Sequence, residues 1–225
     1  MIDYRDFRFS RINDPRFCHL KLLLFWPVYG LLFFTLEHIT LDYNYIHCTL
    51  DDFIPFNEFF AIPYYFWFAY LVGIMLYGLL FDIKCFTVFM KMMIFTCIPT
   101  CIIYFIYPSA QDLRPEEFLR DNIFTDIIKR LYAFDTNTNV CPSIHVTGAV
   151  SVSIAAWNSK HFKKVPARIA FSIITVLICL STVFLKQHSA LDIFWGVVLC
   201  TIAYSVIKIY EKKPAMALKR KKIKR

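Results

Sequence analysis

The sequence predicts an all-α integral membrane protein in which six helices form one bundle. Hydrophobic residues make up 58% of the 225 residues and charged residues only 19%, which is too apolar for an ordinary soluble domain. The mean hydropathy is +0.50. The apolar residues are gathered into six long segments along the chain. We therefore predict a single membrane domain over residues 1–225, without a separate soluble domain.

The six apolar segments are at or just below the roughly 17 to 25 residues that a membrane-spanning helix needs. They lie at about Phe17–Leu36, Phe59–Phe81, Cys85–Tyr107, Ser143–Asn158, Ile169–Leu185 and Ile193–Tyr210. The residues before the first segment are too charged for the apolar core of a signal peptide. We therefore expect the first segment to stay in the protein as a membrane helix.

Loop charge predicts the orientation of the helices, because cytoplasmic loops of membrane proteins are rich in Lys and Arg. Basic residues are concentrated in the N-terminal arm, the 82–84 turn, the 159–168 loop and the tail. The 37–58 loop has acidic residues and no Lys or Arg. We expect a multi-pass protein of the plasma membrane with both termini in the cytoplasm. The loops 37–58, 108–142 and 186–192 then face outward, or into a lumen.

The basic tail, residues 211–225, contains eight Lys and Arg residues directly after the last apolar segment. Such a cluster beside a membrane helix predicts contact with anionic lipid headgroups. A solvated, disordered end is the alternative interpretation. Nucleic acid is not expected as a partner, because the chain is embedded in a membrane and carries no nucleic-acid-binding motif.

No metal or cofactor is expected either. The sequence has no zinc-ligand spacing and no glycine-rich phosphate loop. Two adjacent acids, Asp51 and Asp52, are a candidate metal site. Because adjacent acids in a loop more often form a solvated turn, we interpret them as one.

The long 108–142 loop contains a predicted helix. The sequence Arg114-Pro115-Glu116-Glu117 resembles a helix start, with proline in the first turn and acids behind it. Apolar residues then recur at four-residue spacing, at Leu119, Ile123, Ile127 and Leu131. We interpret this pattern as an amphipathic helix that lies at the membrane surface. A short helix packed as a cap over the bundle is the alternative.

Three polar residues that can carry chemistry lie between the last two apolar segments: Lys186, His188 and Asp192. His188 and Asp192 are four residues apart, so a helix that starts near His188 places them on one face. The carboxylate can then fix the imidazole tautomer and leave the other ring nitrogen free as a nucleophile or base. A short polar hairpin between two buried helices is the alternative interpretation.

The predicted orientation places further polar groups at the same membrane face as His188. Arg114 lies in the 108–142 loop, and Ser143 and His145 lie where that loop enters the fourth segment. Arg and Lys side chains suit phosphate oxygens, and two histidines can supply a nucleophile and a proton donor for the leaving oxygen. The set therefore fits phosphoryl transfer without a metal.

Three motifs resemble those of the type 2 phosphatidic acid phosphatase superfamily. They are Arg114-Pro115, PSIH at 142–145, and Ser181, His188 and Asp192 in the spacing S-x6-H-x3-D. That superfamily has a six-helix core and includes lipid phosphatases, lipid phosphotransferases and vanadium haloperoxidases. The resemblance implies such a catalytic core over about residues 85–210. The stretches 51–56, 62–65 and 107–115 are similar to one branch, related to the inositol phosphorylceramide and sphingomyelin synthases.

The resemblance also implies a role for each polar residue. His188 would form a phosphohistidine, Asp192 would orient it, and His145 would protonate the leaving group. Three residues would hold the phosphate oxygens: Arg114, Ser143 and Lys186.

Three positions depart from the usual motifs of the superfamily. Tyr107 stands in the place of a lysine, Ile144 in the place of a glycine and Thr182 in the place of an arginine. Two usual phosphate-binding cations are therefore absent. Two interpretations follow: Lys186 replaces one of them, or the chain is an inactive relative.

The main functional hypothesis is a metal-independent membrane phosphatase that hydrolyses a phosphomonoester or diphosphate of a lipid through a phosphohistidine. One alternative is a lipid phosphotransferase of the inositol phosphorylceramide or sphingomyelin synthase type. A second alternative is a non-catalytic membrane protein that binds a phospholipid headgroup. All three hypotheses predict a phosphorylated lipid as the partner.

Overall fold

The computed structural model describes residues 2–39 and 42–223, with side chains to Lys212. Its helices are α1 Phe25–His38, α2 Thr49–Phe53, α3 Ala61–Phe81, α4 Ile83–Ile106, α5 Ile123–Phe134, α6 Ile144–Asn158, α7 Val165–Phe184 and α8 Ala190–Ile223. Short 3₁₀ segments are Phe9–Arg11, Cys18–Leu24 and Glu58–Phe60, and the two strands are β1 Asn44–Tyr45 and β2 Ser109–Ala110.

The six predicted apolar segments correspond to helices, which confirms the all-α membrane fold. Five are long and apolar enough to cross a membrane: Cys18–His38, Glu58–Phe81, Ile83–Ile106, Val165–Phe184 and Ala190–Lys212. The remaining one, α6, has only 15 residues. The last helix continues past the predicted end to Ile223. Apart from Lys212, the predicted lipid contacts of the basic tail fall on side chains outside the described residues.

The short helix α6 lies in the middle of the bundle and packs on α3, α4, α7 and α8. Its small residues allow this close packing, because they let neighbouring helices approach. Ala149 and Ala156 are fully buried. At Gly148 an added Cβ would lie 2.8 Å from the indole nitrogen of Trp67. Because these four helices surround α6, the first turn of α6 is buried inside the protein.

Hydrogen bonds between helix ends define two opposite ends of the bundle. At one end, the Tyr104 hydroxyl donates to the Pro142 carbonyl over 2.8 Å. At the other end, the Ser159 hydroxyl donates to the Asp82 carboxylate over 2.7 Å. The loops predicted to face outward all lie at the first of these ends. The compartment that this end faces stays a prediction.

The helix in the 108–142 loop begins later than we expected. A start at Arg114–Glu117 is wrong, because α5 begins after Asn122. The Asn122 side chain accepts hydrogen bonds from the amides of Phe124 and Thr125. Asparagine is among the strongest N-cap residues, so it sets the start of the helix.

Helix α5 packs onto the end of the bundle, as the cap interpretation describes. Its Ile128 and Leu131 are buried in a cluster with Tyr64 and Leu185. Leu119, which the expected pattern placed on the same face, is fully exposed. The apolar face of α5 is therefore directed at the helices below it.

The strands β1 and β2 join two loops at this end of the bundle. They pair in parallel, with Asn44 opposite Ser109 and Tyr45 opposite Ala110. Helix α2 follows β1 directly, so this pairing carries α2 over the end of the bundle where α8 begins.

A glycine pair tests the packing of α3 against α4. An added Cβ at Gly78 would lie 2.7 Å from the backbone nitrogen of Phe86, whereas at Gly73 nothing lies within 4 Å. We expect Gly78→Ala to destabilise the protein by roughly 1 to 3 kcal/mol, because backbone cannot yield as a flexible side chain does. The measurement is thermal unfolding in detergent.

The matched control is Gly73→Ala, which should leave stability unchanged or raise it by up to about 1 kcal/mol through helix propensity. Equal losses in both variants would contradict the close approach of the two helices.

Candidate active site

His188 lies in a tight turn between α7 and α8. Helix α7 ends in a Schellman motif, in which the Gln187 amide donates to the Thr182 carbonyl over 2.9 Å and the Lys186 amide donates to the Val183 carbonyl over 3.1 Å. Lys186 has a φ of 52°, the left-handed conformation that glycine usually adopts at this position. The His188 amide also donates to Thr182, over 3.1 Å. These bonds fix the backbone on which the imidazole stands.

The first turn of α8 fixes the position of Asp192. Ser189 caps the helix, and its Oγ accepts a hydrogen bond from the Leu191 amide over 3.2 Å. In return, Oδ2 of Asp192 accepts from the Ser189 amide over 3.0 Å. The pair resembles a capping box, except that the Ser189 hydroxyl accepts from the second helical residue rather than from Asp192, the third.

The same carboxylate orients the imidazole of His188. Oδ2 of Asp192 lies 3.1 Å from Nδ1 of His188, and both side chains are buried. Because a carboxylate only accepts, Nδ1 carries the proton and Nε2 presents a lone pair. We expected both residues on one helix face. Instead α8 begins at Ala190, so the contact is made across the helix cap.

Asp51 of α2 supports this turn, and the interpretation of Asp51 as part of a solvated turn is wrong. Asp51 is only 2% exposed. Its carboxylate accepts hydrogen bonds from the Ser189 hydroxyl over 2.6 Å and from the amides of Ala190 and Cys48, each over 2.8 Å. Burial alone would raise the pKa of Asp51, but these hydrogen bonds outweigh it and lower that pKa. The spacing Cys48-x-x-Asp51, which resembles a capping box, was the available sequence signal.

His145, in the first turn of α6, faces His188 across the site. The two ring centroids are 5.9 Å apart. The His145 ring stacks on Tyr64 at 4.4 Å and lies 4.5 Å from the ring of Trp67. His145 is 7% exposed, and within the described residues neither of its ring nitrogens has a hydrogen-bond partner. Buried polar groups are normally paired, so these nitrogens are available to a ligand.

Ser143 joins the starts of α6 and α8. Its amide donates to the Asp192 carbonyl over 3.3 Å, and its hydroxyl accepts from the Val146 amide over 3.5 Å. Ser143 is fully buried. The structure therefore brings Ser143 next to Asp192, with its hydroxyl turned towards its own helix.

The guanidinium of Arg114 reaches the same end of the bundle, where it already has hydrogen-bond partners. Nη2 donates to the carbonyls of Asp135 and Thr136, and Nη1 donates to the carbonyl of Tyr132, over 2.9 to 3.2 Å. Nε and Nη2 also donate to Oε1 of Gln187, over 3.2 and 2.6 Å. Burial lowers the pKa of Arg114. Arg114 thus holds the segment after α5 against Gln187.

The side chain of Lys186 points away from the two histidines. Its Nζ donates to the backbone carbonyl of Asp51 over 2.7 Å. The residues that stand in place of the two missing cations, Thr182 and Tyr107, do not supply a group to the site either. Thr182 turns its hydroxyl back to the Cys179 carbonyl over 2.8 Å, and Tyr107 is half exposed on the outer surface.

A cavity of about 30 Å³ connects the two histidines. This volume suits about one or two water molecules. Its lining includes the polar residues Glu37, Asp135, Thr136, Asn139, Gln187, His145 and His188. Neither Lys nor Arg is among the lining residues. Five of them were not expected: Glu37, Asp135, Thr136, Asn139 and Gln187. The available signal was that acids at the ends of apolar segments in a membrane bundle are functional candidates.

The two imidazoles can perform nucleophilic attack and proton transfer on one bound group. One imidazole is held by a carboxylate, and the second lies beside it in a largely apolar wall. Among the described residues, no group of three or more His, Cys, Asp and Glu side chains is placed to hold a metal ion.

Comparison with known proteins agrees with the motifs. A family model described as the PAP2 superfamily matches residues 65–214, which is two thirds of the chain. Members of that superfamily are phosphatases or related phosphotransferases. No curated protein and no solved structure matches the chain. The similarity to the synthase branch stays a prediction.

Substitution of the adjacent acids Asp51 and Asp52 tests whether Asp51 stabilises the turn between α7 and α8 that carries His188. We expect Asp51→Ala to destabilise the protein by roughly 2 to 4 kcal/mol, because three donors lose a charged acceptor at a buried position. The measurement is denaturant or thermal unfolding in detergent at neutral pH. Because the pKa of Asp51 is lowered in the folded protein, this difference should shrink as the pH falls below about 4.

The control is Asp52→Ala, which removes an exposed carboxylate that pairs with His47 over 2.8 Å. Exposed pairs contribute at most about 1 kcal/mol. A loss in the Asp52 variant as large as that in the Asp51 variant would contradict the role of Asp51.

Proposed function

The chain belongs to the PAP2 superfamily, and from this membership we propose that it is a membrane enzyme that transfers the phosphoryl group of a lipid phosphate ester. In the main proposal the acceptor is water. The protein is then a lipid phosphatase that acts on a phosphomonoester or diphosphate without a metal or cofactor.

The observation that carries this proposal is the pair of buried imidazoles at one cavity. His188 is oriented by Asp192 over 3.1 Å, and His145 has no partner among the described residues for either ring nitrogen. Histidines that only stabilise a core normally satisfy their nitrogens within the protein. The centroids of the two rings are 5.9 Å apart, so both imidazoles are near enough to act on one phosphoryl group.

The reaction proceeds in two steps, transfer of the phosphoryl group to His188 and then to water. In the first, the lone pair on Nε2 of His188 forms a bond to phosphorus while the bond from phosphorus to the lipid oxygen breaks. His145 gives its proton to that oxygen. In the second, a water oxygen attacks phosphorus, its proton passes to His145, and the nitrogen–phosphorus bond breaks. Asp192 stabilises the positive charge that develops on His188 during both steps.

Three residues are proposed to hold the phosphate oxygens. Arg114 would exchange its two bonds to Gln187 for phosphate oxygens while its bonds to backbone carbonyls persist. Ser143 stands at the start of α6, where backbone amides and the helix dipole favour an anion. Lys186 would release the carbonyl of Asp51 to reach the same group.

A second candidate function is a lipid phosphotransferase. What favours it is the similarity of the stretches 51–56, 62–65 and 107–115 to the inositol phosphorylceramide and sphingomyelin synthases. In this case a lipid hydroxyl replaces water in the second step. A non-catalytic phospholipid-binding protein is the remaining alternative, and the first experiment below tests it.

The proposed placement has the site at the outward face of the plasma membrane and both termini in the cytoplasm. Its support is the charge of the loops: the 37–58 loop beside the site carries no Lys or Arg, whereas the 159–168 loop at the opposite end carries four.

The role of His188 as nucleophile predicts that His188→Ala abolishes turnover. We expect the rate of phosphate release from a panel of phosphorylated lipids, in detergent with EDTA, to fall by roughly 10³-fold or more. Lipid products are followed alongside free phosphate, so transfer to a lipid hydroxyl is detected as well.

The control is His161→Ala, at the opposite end of the bundle, which should keep wild-type turnover. If lipid binding is present in the wild type and in the His188 variant but neither forms any product, the chain is a binder rather than an enzyme.

The role of His145 as general acid predicts a dependence on the leaving group. We expect His145→Asn to slow cleavage of an alkyl phosphate by roughly 10² to 10⁴-fold, because the alkoxide then leaves without a proton. Cleavage of an aryl phosphate should fall much less, since a phenolate leaves readily on its own. Steady-state rates with both substrates make the measurement. Equal losses for both substrates would assign His145 a structural role instead.

A further inference from the structure

Two carboxylates that the proposed mechanism does not use lie at the same cavity as the histidines. Glu37 comes from the last turn of α1, and Asp135 directly follows α5. Both line the cavity together with His145 and His188. Neither is on the surface proper, since both side chains are half-buried.

Within the described side chains, the hydrogen bonds that both carboxylates accept come from neutral groups. Glu37 accepts from the Asn139 amide over 2.9 Å and from the Thr136 hydroxyl. Asp135 accepts through Oδ2 from the Tyr64 hydroxyl over 3.3 Å and the side-chain amide of Gln187 over 3.4 Å.

No Lys or Arg side chain pairs with Glu37 or Asp135 within residues 2–39 and 42–212. The guanidinium of Arg114 is near, but its donors go to backbone carbonyls and to Gln187. Lys186 donates to a carbonyl on α2. Burial raises the pKa of Asp135, and the nearby His188 and Arg114 offset only part of this effect. Two poorly compensated, half-buried carboxylates at one cavity therefore favour a cation in it.

The charge of the cavity does not suit a phosphate group alone. A phosphate dianion beside two carboxylates in a poorly solvated site is repelled. The two positions at which the superfamily usually supplies extra cations are Tyr107 and Thr182, and neither of these residues lines the cavity. A ligand with a positive group close to its phosphate satisfies both signs of charge at once.

His145 shows independently that the cavity is built for a ligand. It is 7% exposed, it lines the cavity, and within the described residues both of its ring nitrogens lack partners. The ring of Phe33 lies in the same wall. An aromatic face beside carboxylates is a suitable surface for an ammonium group.

We propose, on the basis of the function proposed above, that Glu37 and Asp135 bind an ammonium group that the lipid substrate carries within a few bonds of its phosphate. Two sources share this chemistry. One is a phosphodiester headgroup that ends in an amine or a trimethylammonium group. The other is a long-chain amine whose neighbouring carbon carries the phosphate monoester. The phosphorus is presented to His188 in both cases.

A divalent cation is a weaker fit to the same two carboxylates. Within the described part of the chain, no third His, Cys, Asp or Glu side chain joins them in a metal-binding arrangement. Calcium and magnesium in proteins usually take several oxygen ligands.

The test compares matched pairs of substrates on the full-length protein in detergent. The monoester pair is a long-chain base phosphate with a free amine and its N-acylated form, which lacks the charge. The diester pair is phosphatidylethanolamine and phosphatidylglycerol. Each pair is measured with the wild type, Glu37→Gln and Asp135→Asn, and with the control Glu117→Gln, which changes an exposed acid outside the cavity.

We expect the wild type to prefer the charged member of at least one pair, and the pair that shows the preference identifies the source. Each cavity variant should raise the KM for that member by about tenfold and leave kcat nearly unchanged, because a uniform binding contact is lost. The KM for the uncharged member should stay the same or fall, since repulsion of its phosphate is relieved. The Glu117 variant should behave as the wild type.

Binding is measured in parallel in the His188→Ala background, with short-chain members of the same pairs. Weaker binding of only the charged member in the Glu37 and Asp135 variants supports the subsite even if no substrate is turned over, and the proposed function then fails alone. Turnover without a preference, or equal losses for both members, overturns the subsite and leaves the phosphatase in place. Binding of Mg²⁺ or Ca²⁺ that both variants abolish would also overturn it.

Discussion

The hydrogen bonds to one carboxylate oxygen determine the geometry of the whole site. Oδ2 of Asp192 accepts from the Ser189 amide, which closes the first turn of α8, and lies 3.1 Å from Nδ1 of His188. The same oxygen therefore starts the last membrane helix and selects the imidazole tautomer. Asp51 of α2 accepts from the Ser189 hydroxyl and the Ala190 amide of the same turn. Loss of this helix start would also remove the alignment of the nucleophile.

Much of the fold could be predicted because membrane helices are long and apolar all round. The six segments appear as helices, and the three polar stretches meet at one end, as loop charge and helix order required. The start of α5 was misplaced because the prediction relied on a proline, whereas the side chain of Asn122 provides the cap. The hydrogen bonds of this N-cap, not the spacing of apolar residues, determine where α5 begins.

The motif residues of the site could be predicted from the sequence, but the other residues that line the cavity could not. His145, His188 and Asp192 meet as expected, whereas Glu37 and Asp135 reach the cavity from segments almost 100 residues apart. No sequence spacing relates such residues, because only the hydrogen bonds from the segment after α5 to the end of α1 bring them together. Lys186 shows a similar limit of the sequence. Its left-handed backbone and the bond from its Nζ to the Asp51 carbonyl come from the turn after α7, and its role as a phosphate ligand stays a prediction.

The central claim is that Nε2 of His188 attacks phosphorus while Nδ1 stays bound to Asp192. The most direct measurement is to trap the phosphorylated protein by rapid quenching and determine by ³¹P NMR and peptide mapping which nitrogen carries phosphorus. The account predicts one phosphohistidine, at His188, substituted on Nε2. Phosphorus on Nδ1, on His145 or on no histidine during rapid turnover would contradict it.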